Sequence, residues 1–239
     1  MDLEFSDEQK LLADSANRFF DNNYDLPRRR ERVASEHGFS PELWAEMAEL
    51  GWFALRLPEA FGGFDGSAVE SALIAEAAGR ALAVEPLLST AVIGAAAIAR
   101  GANQELGEAL GPKVASGECR VALAQAEPKS RFALERIETS AKADGDSLVL
   151  NGHKAVVFNA PAAHKLIVSA RTSGDVASKS GITLCLVDAA ADGVTMRDYQ
   201  PLMACGRQRS NSSMCARKRS WERSTRVLTY SKPSSMKPM

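Results

Sequence analysis

The stretch from Val121 to Thr172 constrains this chain more than any other. It opens Val-Ala-Leu-Ala-Gln-Ala-Glu-Pro and continues through short runs rich in β-branched and aliphatic residues, over 137–143, 147–150, 154–158 and 166–170. Asp144-Gly145 and Asn151-Gly152 fall between such runs. These dipeptides favour tight hairpins, because a type I′ turn needs positive φ at both central residues. The pattern predicts a compact antiparallel sheet, whereas the residues before it carry helical periodicity. The expected class is α+β: an N-terminal all-α domain over 1–117, a small antiparallel β-domain over 118–202, and an irregular basic C-terminal tail over 203–239.

The helical part is punctuated by start signals. Ser6 with Gln9 reads as a capping box, and Asp7 and Glu8 sit at the positive end of the helix dipole. Leu12, Ala16 and Phe19 then recur at helical spacing, broadened by Leu11 and Phe20. Arg28 to Arg30 read as a solvated helix face beside Glu31 and Glu36. Ser40-Pro41-Glu42 starts another helix, whose proline has no donor to lose at the first position, and Gly51 ends it. Trp44 and Trp52 read as packing residues. Further helices are expected from Ser67 to Leu82, over 87–100 after Pro86, and over 104–115 with an interruption at Gly111-Pro112. Pro58 to Gly63 forms a glycine loop, and the lack of a following Lys-Ser/Thr excludes a P-loop.

Composition removes several function classes. The net charge of −1 over 239 residues hides an asymmetry: 203–239 carries nine Lys/Arg against the single acidic Glu222, leaving an acidic body. Cys119, Cys185, Cys205 and Cys215 show no metal-ligand spacing, so no metal site is expected, and Cys119 and Cys185 read as small apolar fillers on strands. The acidic N-terminus lacks the basic and apolar regions of a secretion signal, and the apolar run Ala91 to Ala99 is far short of the roughly 20 residues of a membrane span. A cytoplasmic protein without membrane or nucleic-acid partners is expected. His37, His153 and His164 have no nucleophile beside them and read as ordinary polar residues.

Several of these segments resemble the acyl-CoA dehydrogenases. Gln125-Ala126-Glu127-Pro128, Gly145-Asp146, Leu150-Asn151-Gly152-His153-Lys154 and Asn159-Ala160 are similar to that family's flavin-binding β-domain. There Thr-Glu-Pro precedes a Gly/Ser-rich loop and then Asn-Gly-x-Lys-x-Trp-Ile-Thr-Asn. Glu127 to Phe132, Lys154 to Val157 and Leu166 to Thr172 are similar to the small subunits of pimeloyl-CoA-type dehydrogenases within it. The resemblance covers roughly 1–202.

The resemblance implies FAD as cofactor, an acyl-CoA thioester as substrate, and a homo- or hetero-oligomer with another subunit of the family. It implies cofactor-binding positions at Leu123, Gln125, Ala126, Phe132, Val156, Val157 and Phe158, with backbone N–H and C=O of Gln125 and Ala126 available to the flavin. Val156 stands in place of the usual Trp, Phe158 in place of Thr or Ser, and Phe132 where a Ser would hydrogen-bond. At least two side-chain hydrogen bonds are thereby lost, which at roughly 0.5–1.5 kcal/mol each weakens flavin binding about ten-fold or more. The same strands also read as a β-domain that holds no flavin. Arg131 reads either as a substrate-side cation for phosphate or acyl carboxylate or as a surface salt-bridge partner. Glu127 reads as structural, within its Glu-Pro turn.

The implied reaction is α,β-dehydrogenation: a carboxylate removes the α-proton while hydride passes from the β-carbon to the flavin. In the family that carboxylate belongs to a C-terminal helical domain, which the resemblance does not reach in this chain, so no catalytic residue is assigned. Two readings of 203–239 compete: a native basic tail for an acidic partner, and the favoured one, a reading-frame shift that replaces the family sequence. The chain is expected either to be a truncated, incomplete dehydrogenase or to serve as a non-catalytic subunit or interaction module of a heteromeric one.

Overall fold

The computed structural model describes residues 4–144, 147–199, 211–216 and 226–228. Six α-helices precede the strands among these residues: α1 (Asp7–Asn23), α2 (Leu26–Ala34), α3 (Pro41–Glu49), α4 (Ala68–Arg80), α5 (Ala95–Gly101) and α6 (Gln104–Ala115). The start signals act as expected. Ser6 and Gln9 close a reciprocal capping box, and Asp25, Ser40, Ser67 and Asn103 each cap the helix that follows with their side chains. Two expectations are corrected. Residues 88–94 form a π-helix that leads into α5 rather than one α-helix over 87–100. α6 runs through Gly111-Pro112 without interruption, and Gly111 marks a close approach rather than a break: a Cβ there would lie 2.2 Å from the Phe61 carbonyl oxygen.

The strands are β1 (Val121–Ala124), β2 (Ser140–Asp144), β3 (Ser147–Phe158), β4 (Lys165–Arg171), β5 (Ile182–Asp188), β6 (Val194–Tyr199), β7 (Asn211–Ala216) and β8 (Arg226–Leu228). They join in one sheet of order β6-β7-β3-β2-β4-β5-β8, with β1 paired to β4. The α+β class holds, and the sheet is mixed rather than purely antiparallel: β1 runs parallel to β4, as does the single β2–β4 pair Ser140–Arg171.

Two further expectations need correcting. Asn151-Gly152 makes no turn; β3 passes straight through it. Here the strand changes partner, from β2 up to Asn151 to β7 from Gly152 onward. Glycine is required by close approach, since a Cβ on residue 152 would lie 2.3 Å from Thr139 Oγ1. Gly145, by contrast, lies outside the described residues, between the paired Asp144 and Ser147. The second correction concerns the tail. Residues 211–216 and 226–228 are strands, β7 filling the gap between β3 and β6 and satisfying ladder groups that a bare edge would expose. The rest of 203–239, Cys205 included, lies outside the described residues.

Packing follows from alternation along β1, β4 and β5. Val121, Ile167 and Leu186 face the helices and share a core with Ile98, Leu110 and Val114. Ala122, Ala124, Val168 and Cys185 face the opposite side and pack with Leu150 and Val157. A third core is aromatic and lies among the N-terminal helices and their connections, built on Phe20, Trp52 and the Trp44–Phe53 stack, whose ring centroids are 4.1 Å apart. The two tryptophans are buried, as expected.

Candidate functional site

The Gln125–Pro128 corner leaves β1 and is braced from beneath. Glu127 and Lys154 are both buried and form an ion pair, with Nζ 2.7 Å from Oε1. Lys154 Nζ also donates to Ser169 Oγ at 3.0 Å and to the Gln125 carbonyl at 3.3 Å. The Glu127 carboxylate accepts from the amides of Glu138 (2.6 Å) and Thr139 (3.0 Å) and from Thr139 Oγ1 (2.6 Å). Every charged atom of the pair therefore has a polar partner, which is the condition for burying it. Burial pushes the Glu127 carboxyl up, but the hydrogen bonds from Lys154, Thr139 and the two amides outweigh it and hold it below its ordinary value. Burial draws the Lys154 ammonium down, opposed by Glu127. The expected structural role of Glu127 is what the geometry provides.

This brace sets the corner against β3. The Ala155 amide donates to the Ala126 carbonyl at 2.8 Å. At the next residue the ladder between β3 and β7 slips register, between Lys154 and Val157, and Val156 takes a φ of +54°. A β-branched residue in that region is strained, and a bulge there turns its side chain out of the pleat. Val156 and Phe158 consequently stand exposed while Val157 between them is buried. Asn159, at φ +58°, ends the strand and accepts from Ser89 Oγ at 2.5 Å, tying this edge to the π-helix. Thr90 on that helix exchanges hydrogen bonds with the Val121 backbone.

The expected cofactor positions thus divide. Gln125 and Ala126 lie beside β3, bonded to it at Ala155, and Val156 and Phe158 stand exposed on either side of Val157 in the same strand. Leu123 does not join them: it packs against the helix-facing core. Val157 does not either, because its side chain enters the opposite core and leaves only its backbone for any ligand. Phe132 is 98 % exposed beyond the Glu127–Ser130 turn, and Arg131 beside it is exposed at φ +48°, with no ion pair among the described residues. The backbone expectation is corrected in part. The Gln125 carbonyl accepts from Lys154 and Ser169, and the Ala126 carbonyl from Ala155. The Ala126 amide has no acceptor among the described residues and remains available to a ligand carbonyl.

Three polar features escaped sequence reading. The Glu127–Lys154 pair joins residues 27 apart in the chain, and only the parity of Lys154 on a core-facing strand position hinted at it. Arg171 is buried and donates to the carbonyls of Glu135, Val176, Ser178 and Ser180, fastening the 173–180 loop to the segment before β2. Glu85 is buried beside Tyr24, whose hydroxyl donates to it, and burial raises its carboxyl to about 7. No metal-holding cluster of His, Cys, Asp and Glu occurs among the described residues, and none of their helices is long and apolar enough to cross a membrane. Cys185 is a buried filler on β5, as expected, whereas Cys119, also buried, lies in the turn before β1 rather than on a strand.

Comparison with known proteins agrees with this geometry. Residues 6–118 match the family described as acyl-CoA dehydrogenase, N-terminal domain, and 122–215 match acyl-CoA dehydrogenase, middle domain. The second match runs past residue 203, where the sequence pattern weakens. "Acyl-CoA dehydrogenase FadE29" of Mycobacterium tuberculosis is 26 % identical over 216 residues, covering 89 % of this chain and 54 % of that protein. Among solved structures, a variant of the Tcur3481-Tcur3483 steroid ACAD is 30 % identical, with a TM-score of 0.76 over 87 % of this chain and 54 % of that one. The acyl-CoA dehydrogenase complexed with FAD from Bacillus anthracis is 28 % identical, with a TM-score of 0.76 over 90 % of this chain and 37 % of that one. The chain spans about half the length, or less, of the proteins it matches here.

Proposed function

The chain belongs to the acyl-CoA dehydrogenase family, and we propose that it is the flavin-side portion of an enzyme that dehydrogenates an acyl-CoA thioester at its α,β bond. The observation that carries this reading is the braced corner: Ala126, its amide open, is held beside the outward-turned Val156 by a fully bonded buried ion pair. FAD is the proposed cofactor and, when bound, supplies the hydride acceptor. Gln125, Ala126, Val156 and Phe158 are the residues proposed to hold it. The Ala126 amide donates to the flavin ring, and the two apolar side chains exclude water from one of its faces. Leu123, Val157 and Phe132 contribute at most through backbone or through surfaces added by the rest of the assembly. Arg131 is proposed as a substrate-side cation.

Glu127, the buried carboxylate of the corner, is committed to Lys154 and to backbone amides and is not free to accept an α-proton. The proton acceptor is therefore proposed to lie in the family's C-terminal helical domain, or in a second subunit. A specific observation favours the second subunit as an alternative: Phe132 and Leu134, after the corner, and Phe158, on β3, are 98, 68 and 62 % exposed. Exposed apolar groups in one region suit a partner surface. The pimeloyl-type small-subunit likeness, the division at 117/118 and a frame change after 203 belong to the same proposal. Resequencing the coding DNA across codons 200 to 210 tests the frame change.

The functional test is flavin titration of the purified chain, followed by addition of an acyl-CoA with and without a candidate partner subunit. Flavin binding, with bleaching only when the partner is present, is the expected result. Bleaching by the chain alone would show that the proton acceptor is already within it. Absence of flavin binding in both conditions would sink the reading.

A further inference from the structure

Arg171 ends β4, two residues beyond Ser169 and on the same face of the strand. Ser169 bonds Lys154 and the Gln125 carbonyl, so this face already carries part of the brace under the corner. Arg171 is 8 % exposed, and a guanidinium is always charged. Burying that charge requires a carboxylate or a set of hydrogen-bond acceptors. Every acceptor it has among the described residues is a backbone carbonyl. Nη1 donates to Ser178 (3.0 Å) and Ser180 (2.7 Å), and Nη2 donates to Glu135 (2.7 Å) and Val176 (2.9 Å).

Three of these carbonyls belong to the 172–181 connection between β4 and β5. The fourth, Glu135, belongs to the stretch between the corner and β2, and that stretch is gripped from two sides. The amides of Glu138 and Thr139 donate to the Glu127 carboxylate, at 2.6 and 3.0 Å. The carbonyls of Glu135 and Thr139 accept from Arg171, the first from its guanidinium and the second from its own amide at 2.7 Å. Between them the Ile137 amide donates to the Val176 carbonyl at 3.0 Å, an oxygen that Arg171 also holds. A buried carboxylate thus orders the N–H groups of 135–139 and a buried guanidinium its C=O groups, each charge matched to the end of the peptide dipole that it attracts. The two charges are linked through the backbone between them.

We propose that Arg171 is a positioning residue for the Gln125–Pro128 corner: by fixing 135–139 it holds the amides that hold Glu127, and through Glu127 and Lys154 it sets the Ala126 amide. The consequence for flavin rests on the reading above, whereas the backbone link does not. The test is amide hydrogen exchange of the full chain, wild type against Arg171→Lys and Arg171→Gln, followed by flavin titration. Lysine keeps the charge but lacks the planar fork that meets four carbonyls, so it should retain only part of the effect. Exchange over 136–140 is expected to quicken about ten-fold in Arg171→Lys and further in Arg171→Gln, while α4 keeps its wild-type protection. The flavin dissociation constant should rise about five- to ten-fold in Arg171→Lys, and by a similar factor in Thr139→Val, which removes the Oγ1 contact with Glu127. The double variant should bind flavin within about two-fold of the weaker-binding single variant, because both loosen the same stretch. Two effects that multiply would overturn the link. Faster exchange confined to 172–181 would overturn it as well, making Arg171 a fastener of that connection alone. Equally quickened exchange in α4 would do the same by assigning the effect to global destabilisation. A wild-type chain that binds no flavin sinks the reading above, and the exchange result then decides the positioning link by itself.

Discussion

Lys154 is the residue on which the corner depends. It lies in a strand at 0 % exposure, and its ammonium joins Glu127, Ser169 and the Gln125 carbonyl across three chain segments. Lys154→Met leaves Glu127 buried without its cation, and a loss of about 3–5 kcal/mol is expected in urea unfolding. A loss under about 1 kcal/mol would mean that water reaches the carboxylate. Glu127 itself is held below its ordinary value. The unfolded chain therefore takes up the proton first as pH falls, and this contribution, present above about pH 4, is lost as pH drops through the folded value. Glu85 has the opposite sign. Its carboxyl is raised from 4.5 to about 7, so its contribution is fully present below pH 4.5 and lost as pH rises to 7. Wild-type stability should fall by about 3 kcal/mol across that window, and Glu85→Gln should abolish this part of the pH dependence. Equal slopes in the two proteins would count against a protonated Glu85.

At the scale of elements, β3 is the decisive one. A single strand pairs with β2 over its first half and with β7 over its second, and it bulges at Val156 where the corner docks. Gly152 permits the exchange of partners, because any side chain there runs into Thr139. Gly152→Val should therefore destabilise by about 1–3 kcal/mol through overpacking and should also weaken flavin binding, since Thr139 carries one of the Glu127 contacts. Unchanged thermal unfolding and unchanged flavin affinity in that variant would remove β3 from its proposed role. The π-helix plays the matching part on the helical side, with Leu88 and Val92 lining a cavity of about 340 Å³ in the helical layer and Ser89 and Thr90 bonded to Asn159 and β1. π-Turns are rare and recur at functional sites, and here the widened turn lets Ser89 and Thr90 both reach the strands.

At the scale of the molecule, helices and strands are fused by a shared core rather than joined by a linker. Ile98, Leu110 and Val114 pack with Val121, Ile167 and Leu186, so the helical layer and the strands that carry the Gln125–Pro128 corner are held in one frame. Phe132, Leu134 and Phe158 stand exposed, as the proposed partner surface requires. Adding a competent partner subunit is accordingly expected to lower the flavin dissociation constant. A constant unmoved by any partner would favour the first reading, a site completed by the family's own C-terminal domain.

By itself the sequence determined the class, the caps, most element positions and the family, because each is written in contiguous residues: Ser6 with Gln9, Ser40 with Pro41, alternation in 121–124 and 165–171, the Glu-Pro corner. What only the tertiary structure decided is everything that depends on residues distant in the chain. Asn151-Gly152 looked like a turn because the hairpin signal is local, whereas the close approach of Thr139 and the arrival of β7 are not. Leu123 and Val157 neighbour the motif, and it is strand alternation in the folded sheet that turns their side chains into the two cores. The partner of Lys154 was likewise invisible, since burial and charge pairing are properties of the folded arrangement, not of the order of residues.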